Sequence, residues 1–168
     1  MLITSLPRYI KQRDLTLRHL RISDGPSLSE TLMQEDILES SGVCRPRRTP
    51  WIFFFWWLRK TFFIAYCIER KSQTIGFIGL SNFTPGESAE ISLVLFDPVS
   101  RRRGYGTRSF KLLSRNSFTT AFANTFIVKV RKDNESALSF WASLGFVTIG
   151  IDGDVTVMIR RSPLQTGK

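Results

Sequence analysis

At 168 residues, 42% hydrophobic and 23% charged, the chain is long enough for one domain with a proper core and has no low-complexity tract. Its net charge of +10 is scattered over arginines at 8, 13, 18 and 21, at 45, 47 and 48, and at 101–103, so no helix carries one basic stripe and no nucleic-acid motif stands out. Cys44 and Cys67 lie far apart beside a lone histidine, which excludes a recognisable zinc spacing; no apolar run reaches the ~20 residues of a membrane span, and residues 1–15 lack a signal-peptide core. The expectation is a cytoplasmic protein with no metal, no membrane and no specific nucleic-acid partner.

In chain order, residues 15–20 read as a short first strand. Asp24, Gly25 and Pro26 start a helix to about residue 34, with the aspartate as cap and the proline in the first turn. Residues 45–50 form a basic, proline-marked loop that leads into the apolar block 51–57. That block reads as a buried helix, a partner-facing helix or a wall of a substrate pocket. Seven consecutive apolar residues exceed what one helix face can hide, so part of the block is expected to meet substrate or another subunit, a homodimer being one option.

Strand patterns follow over 61–69, 74–83 and 88–96, separated by turns at 71–73 and at Pro85 and Gly86, and such short turns imply an antiparallel meander. Residues 107 to about 121 read as a helix with Phe110, Leu113 and Phe118 turned inward, and 125–130 as a strand. Residues 134–144 form a helix with Ala137, Trp141 and Leu144 on one face and Gly145 at its end. Strands 146–151 and 154–160 close a hairpin around Asp152 and Gly153. The order is β-α-α-β-β-β-α-β-α-β-β: a single α/β (α+β) domain over 1–168, with about seven strands and about four helices.

The most informative stretch is Arg101, Arg102, Arg103, Gly104, Tyr105 and Gly106, set between a strand and a helix. Glycines there let backbone approach a ligand closely. The first helical N–H groups and the positive end of the helix dipole then favour an anion, and the arginines add charge that suits phosphate. A Walker loop is excluded because Thr107 follows Gly106 with no lysine between. A dinucleotide fold is a closer rival, since strand, glycine turn, helix and strand occur in order and Asp133 lies beyond. Against it, Ser109 stands at the third glycine position, 97–103 is too long for the turn, and the upstream meander does not suit a doubly wound parallel sheet.

The full pattern resembles the GNAT superfamily of acetyl-CoA-dependent N-acetyltransferases, and within it the RimJ/RimL-like branch. The family motif Arg/Gln-x-x-Gly-x-Gly/Ala is met by Arg101, Gly104 and Gly106, flanked by Phe96, Asp97, Pro98 and Thr107. A second motif, Asn-x-x-Ala/Ser-x-x-x-aromatic-x-x-x-Gly-Phe, is met by Asn134, Ala137, Trp141, Gly145 and Phe146. Residues 15–18 and 74–80 also look like family segments, so the resemblance covers roughly 13–160.

The resemblance implies a GNAT-like, mostly antiparallel sheet with acetyl-CoA as co-substrate. It places the diphosphate on the backbone of Arg102, Arg103, Gly104, Tyr105, Gly106 and Thr107, next to Arg101. The pantetheine arm would lie beside Val94, Leu95 and Phe96, and Asn134 would contact that arm. By itself Asn134 reads equally well as a helix N-cap. The catalytic candidate is Glu90, where relatives often carry the base that deprotonates the amine through water. Alternation puts it on the face of Ser92 and Val94, where a charge is costly unless used; the other reading is a hairpin-end charge in water. Glu87 in the turn and His19 on the first strand are poorer candidates.

Relatives often have a tyrosine acid where this chain has Trp141, which leaves that role to water or to a side chain such as Ser139. Neither cysteine sits in a motif for a covalent nucleophile. Two functions follow: direct acetyl transfer to a primary amine (a protein N-terminus or a small molecule) in a ternary complex, or an acyl-CoA-binding module with little turnover.

Overall fold

The computed structural model describes residues 6–32 and 50–163, apart from the side chains of residues 53, 54, 56 and 57. The strands are β1 (Tyr9–Gln12), β2 (Leu15–His19), β3 (Ile64–Arg70), β4 (Gln73–Thr84), β5 (Ser88–Leu95), β6 (Thr125–Arg131), β7 (Val147–Asp152) and β8 (Val155–Arg161). The helices are α1 (Gly25–Leu32), α2 (Trp51–Thr61), α3 (Tyr105–Thr119) and α4 (Glu135–Ser143). One eight-stranded sheet runs β1-β2-β3-β4-β5-β6-β8-β7. Every neighbouring pair is antiparallel except β5 and β6.

The mixed, mostly antiparallel architecture is the one expected, with one strand more. β1 escaped notice because Ile10 is its one buried residue, so it shows no alternation; it is recruited by pairing with β2 through a turn in which Arg13 takes φ 54°. The first helix starts after a 3-10 turn (Ile22–Asp24), and Asp24 does not cap it. Its carboxylate instead accepts from the Arg21 N–H at 2.7 Å and from Arg18. Residues 61–63 are not strand, because α2 runs on through Arg59 and Lys60 until the Phe62 N–H closes on Leu58 O at 3.0 Å. The loop read at 45–50 (all but Pro50), the end of the first helix at 33–34, and Cys44 lie outside the described residues.

Two apolar layers cover the sheet. One face buries Leu15, Leu17, Ile91, Phe126, Val128 and Met158 under α3 and α4, through Phe110, Leu113, Trp141 and Phe146. The opposite face buries Cys67, Phe77 and Val94 under α1 and α2, through Leu28, Leu32, Phe55 and Leu58. In the aromatic block, Phe55 turns inward, while Trp51 and Ile52 stay exposed. No helix among the described residues is long and apolar enough to cross a membrane.

One buried cation ties the second layer together. Arg18, on β2, donates to both Asp24 carboxylate oxygens at 2.9 Å, to Glu69 on β3 at 2.8 Å and to His19 O at 3.0 Å. Burial alone would raise the Asp24 carboxyl; Arg18 and the Arg21 N–H more than offset this and hold it below the usual carboxylate range. A carboxyl depressed in the fold contributes stability at pH values above its unfolded pKa of ~3.9, and that contribution is lost as pH falls through the folded value. Arg18→Met leaves two carboxylates without their counter-charge and should lower the unfolding free energy at pH 7 by about 3–5 kcal/mol, read from urea midpoints.

Candidate functional site

The site begins where the sheet opens. β5 and β6 pair at Ser88↔Thr125, Ala89↔Phe126 and Glu90↔Ile127, and no further. Beyond that point a cavity of about 830 Å³ lies between them. It is walled by residues 90–95 of β5, residues 128–131 of β6, the turn before α3, and Asn134, Phe140 and Trp141.

The register decides which backbone groups face this gap. Leu95 pairs with Gly76 and Val94 with Phe77, and the Phe96 N–H donates to Ile75 O at 3.0 Å. Ladder alternation therefore points the N–H and C=O of Ser92 and Val94 at β4, and those of Leu93 and Leu95 into the cavity. Of the three residues expected beside a bound arm, Leu95 offers backbone. Val94 borders the cavity with its main chain turned to β4, and Phe96 is not on the wall. Leu93, missed by the sequence reading, takes the vacant place.

At one end of the cavity stands the N-terminus of α3. Gly104 is its cap residue at φ 77°, with no side chain to bond the helix. The first backbone bond there runs from the Arg108 N–H to Gly104 O at 2.9 Å, so the N–H groups of Tyr105, Gly106 and Thr107 have no acceptor within the helix. Space at Gly106 is tight: a Cβ there would lie 3.3 Å from the Phe140 ring. Arg101, Arg102, Gly104, Gly106 and Thr107 border the cavity; Arg103 and Tyr105 do not. Arg103 is exposed, and Tyr105 is buried with the Arg70 and Arg108 guanidinium groups over its ring at 5.2 and 5.8 Å. Arg101 donates to Leu95 O at 3.3 Å, tying the turn to the strand end.

Glu90 marks the apex, where the strands part. Its side chain is 18% exposed, and Oε2 accepts from the Asn82 amide at 2.8 Å and meets the Lys129 ammonium at 3.1 Å. It is thus neither a hairpin-end charge in water nor an unpaired carboxylate in an apolar pocket. A register shift in β4 between Ser81 and Thr84, with Asn82 at φ 44°, accompanies the Asn82 contact. Glu87 stays exposed in the turn.

A family model described as acetyltransferase (GNAT) domain matches residues 14–147. The chain belongs to the GNAT acetyltransferase family. An acetyltransferase of Salmonella typhimurium that modifies the N-terminal serine of ribosomal protein L7/L12 superposes with a TM-score of 0.76 at 17% identity, covering 91% of this chain and 98% of that one. A Vibrio cholerae spermidine N-acetyltransferase, solved with CoA and spermine, gives 0.75 at 19% identity over 89% and 96%. In sequence, the N-alpha-acetyltransferase RimI of Mycobacterium tuberculosis is 32% identical over 79 residues, 46% of this chain and 48% of that protein. The curated relatives matched are covered over 24% to 48% of their own length.

Within this GNAT fold, the single parallel pair rules out the dinucleotide alternative, and Asp133 is bound to Arg131 at 3.0 Å. Asn134 borders the cavity and also caps α4, its Oδ1 accepting from the Ala137 N–H at 3.0 Å. At the other end of α4, Gly145 at φ 85° lets its N–H reach Ala142 O and the Phe146 N–H reach Trp141 O, a Schellman closure that seats Phe146 against Trp141. Trp141 is buried against Phe110, Phe140 and Phe146. His19 is remote on β2, edge-on to Tyr66, and burial followed by the charges of Arg8 and Arg59 holds its imidazole below the usual value. Burial and the nearby Asp24 charge push the Cys67 thiol up to about 12, so it is no nucleophile. No group of three His, Cys, Asp or Glu among the described residues is placed to hold a metal.

CoA and acetyl-CoA, each at about 100 times its Kd, should stabilise the fold by about 2.7 kcal/mol, visible as a rise in Tm, while NAD and ATP leave it unchanged. Gly106→Leu should abolish the rise by driving a side chain into the Phe140 ring.

Proposed function

We propose that this GNAT protein is an acetyl-CoA-dependent N-acetyltransferase acting on a primary amine. One observation carries the reading: a single cleft holds uncapped helix donors at one end and a paired carboxylate at the other. The turn fits a diphosphate because three N–H groups and the positive end of a 15-residue helix meet there, beside Arg101 and Arg102. The backbone of Leu93 and Leu95 suits an extended arm that adds to β5 as a strand would. A cavity of about 830 Å³ is of the size that takes a cofactor-sized ligand.

When bound, the cofactor supplies an acetyl group activated as a thioester. The protein's own part is to bind, orient and move a proton. The helix N-terminus fixes the phosphates, and the cleft holds the acyl end near the apex, an entropic contribution. Among the described residues both partners of Glu90 sit on Oε2, which leaves Oε1 to take the proton of the incoming ammonium, directly or through one water. The freed amine then attacks in a ternary complex. Trp141 cannot supply a proton to the departing thiolate, so that proton comes from water or from exposed Ser139 on the cavity wall. Cys67 takes no part, which suits direct transfer.

Glu90→Gln should reduce kcat by about 10²- to 10⁴-fold, measured as CoA release, while the Tm rise with CoA is retained. Loss of both would make Glu90 structural. Wild-type protein that is stabilised by CoA but releases none with any amine would favour the acyl-CoA-binding module, to which Trp141 already lends support.

A further inference from the structure

We propose that Lys129 selects acceptors whose amine lies a few bonds from a carboxylate, a class that includes free α-amino acids and peptide N-termini followed by Asp or Glu. This rests on the acetyltransferase reading above and adds the substrate class. Lys129 lies on β6 two residues past Ile127, the partner of Glu90 in the last paired rung. Strand alternation puts Lys129 on the same face as Glu90, and its Nζ sits 3.1 Å from Oε2. An incoming ammonium must therefore approach Glu90 beside a resident ammonium.

Three features make that arrangement selective. First, Lys129 is 50% exposed, so its head can swing on its flexible stem to follow a ligand while Asn82 continues to hold Oε2. Second, among the described residues the charged side chains bordering the cavity are one carboxylate, Glu90, against Arg101, Arg102, Lys129 and Arg131. Third, Arg131 carries Asp133 as its own partner, which leaves Lys129 as the cation already engaged at the apex.

A polyamine would add positive charge to a rim that is already positive, with no second carboxylate among the described residues of the cavity wall to receive it. An amine with its own carboxylate exchanges one ion pair for two: its ammonium meets Glu90 Oε1 and its carboxylate meets Lys129. The proton then leaves the ammonium for Glu90 as before, and Lys129 stays charged throughout, so it positions the acceptor and takes no part in the transfer. Rejection of the wrong acceptor comes from like-charge approach as much as from attraction to the right one.

The test uses the full chain, acetyl-CoA and five acceptors: free serine, the dipeptide amides Ser-Asp, Ser-Ala and Ser-Lys, and spermidine, with CoA release as readout. Wild-type kcat/KM for Ser-Asp should exceed that for Ser-Lys by about tenfold or more, chiefly through KM, with spermidine poorest. Free serine separates the two sources of the carboxylate: a rate at or above that of Ser-Asp marks the α-carboxylate as the partner, and a rate near that of Ser-Ala marks the second side chain. Lys129→Gln should erase the preference and Lys129→Glu should invert it toward Ser-Lys. A purely structural lysine would lower all five acceptors alike, and the Tm rise with CoA shows that each variant keeps its cleft.

Wild-type activity with no charge preference, or an unchanged preference in Lys129→Glu, would overturn the role of Lys129 and leave the acetyltransferase standing. Absence of CoA release from every acceptor, with CoA still raising Tm, would overturn the enzyme reading and this one with it.

Discussion

The structure depends on where β5 and β6 cease to be neighbours. Their three-residue parallel pairing is the sole parallel contact in the sheet among the described residues, and it ends at Glu90 and Ile127 while β5 runs on to Leu95 and β6 to Arg131. Backbone donors and acceptors on the two inner edges, those of Leu93 and Leu95 among them, then lack strand partners. Unpaired main chain away from water is costly, so such an edge either stays wet or meets a ligand that can bond it. An extended amide-bearing ligand meets that requirement better than a globular one.

The same parting sorts the chemistry along one axis. At the open end, α3 starts without a side-chain cap and keeps three N–H donors for an anion. At the closed end, the last rung sets Glu90 against Lys129, and the irregularity in β4 adds Asn82. Between them runs a wall whose aromatic side, Phe140 and Trp141, is anchored by the Schellman closure of α4. In the proposed reading, phosphate, arm and reacting amine take separate places, held by backbone more than by any one side chain.

The candidate site was legible in part. Gly104 and Gly106 announced the helix mouth because φ 77° favours glycine and because an aromatic ring 3.3 Å from a would-be Cβ leaves room for little more than glycine. Glu90 was a candidate through the family resemblance, supported by its place on a strand face where a charge is costly unless used. The side chain of Tyr105 is a packing ring and that of Arg103 an exposed cation, while the group expected to matter at Tyr105, its backbone N–H, is one of those with no acceptor in the helix. Lys129 gave no signal: a lysine in an alternating strand looks like any solvated charge until the register places it on the same face as a carboxylate, two residues past that carboxylate's partner. Asn82 was hidden in the same way, since a bulge is not written in residue type.

Local physics alone settled the sheet-rich α/β order, the turns, the ends of α4 and the uncapped mouth of α3, each of which follows from a few consecutive residues and their backbone preferences. Tertiary structure decided the rest: the edge strand β1, whose four residues carry too little apolar pattern to declare themselves; the fate of Asp24, drawn from a cap into the Arg18 cluster; and the pairing of Glu90 with Lys129. The first two need a partner outside the segment itself, and the third depends on register between strands distant in sequence, where a shift of one residue would have turned the side chain to the other face.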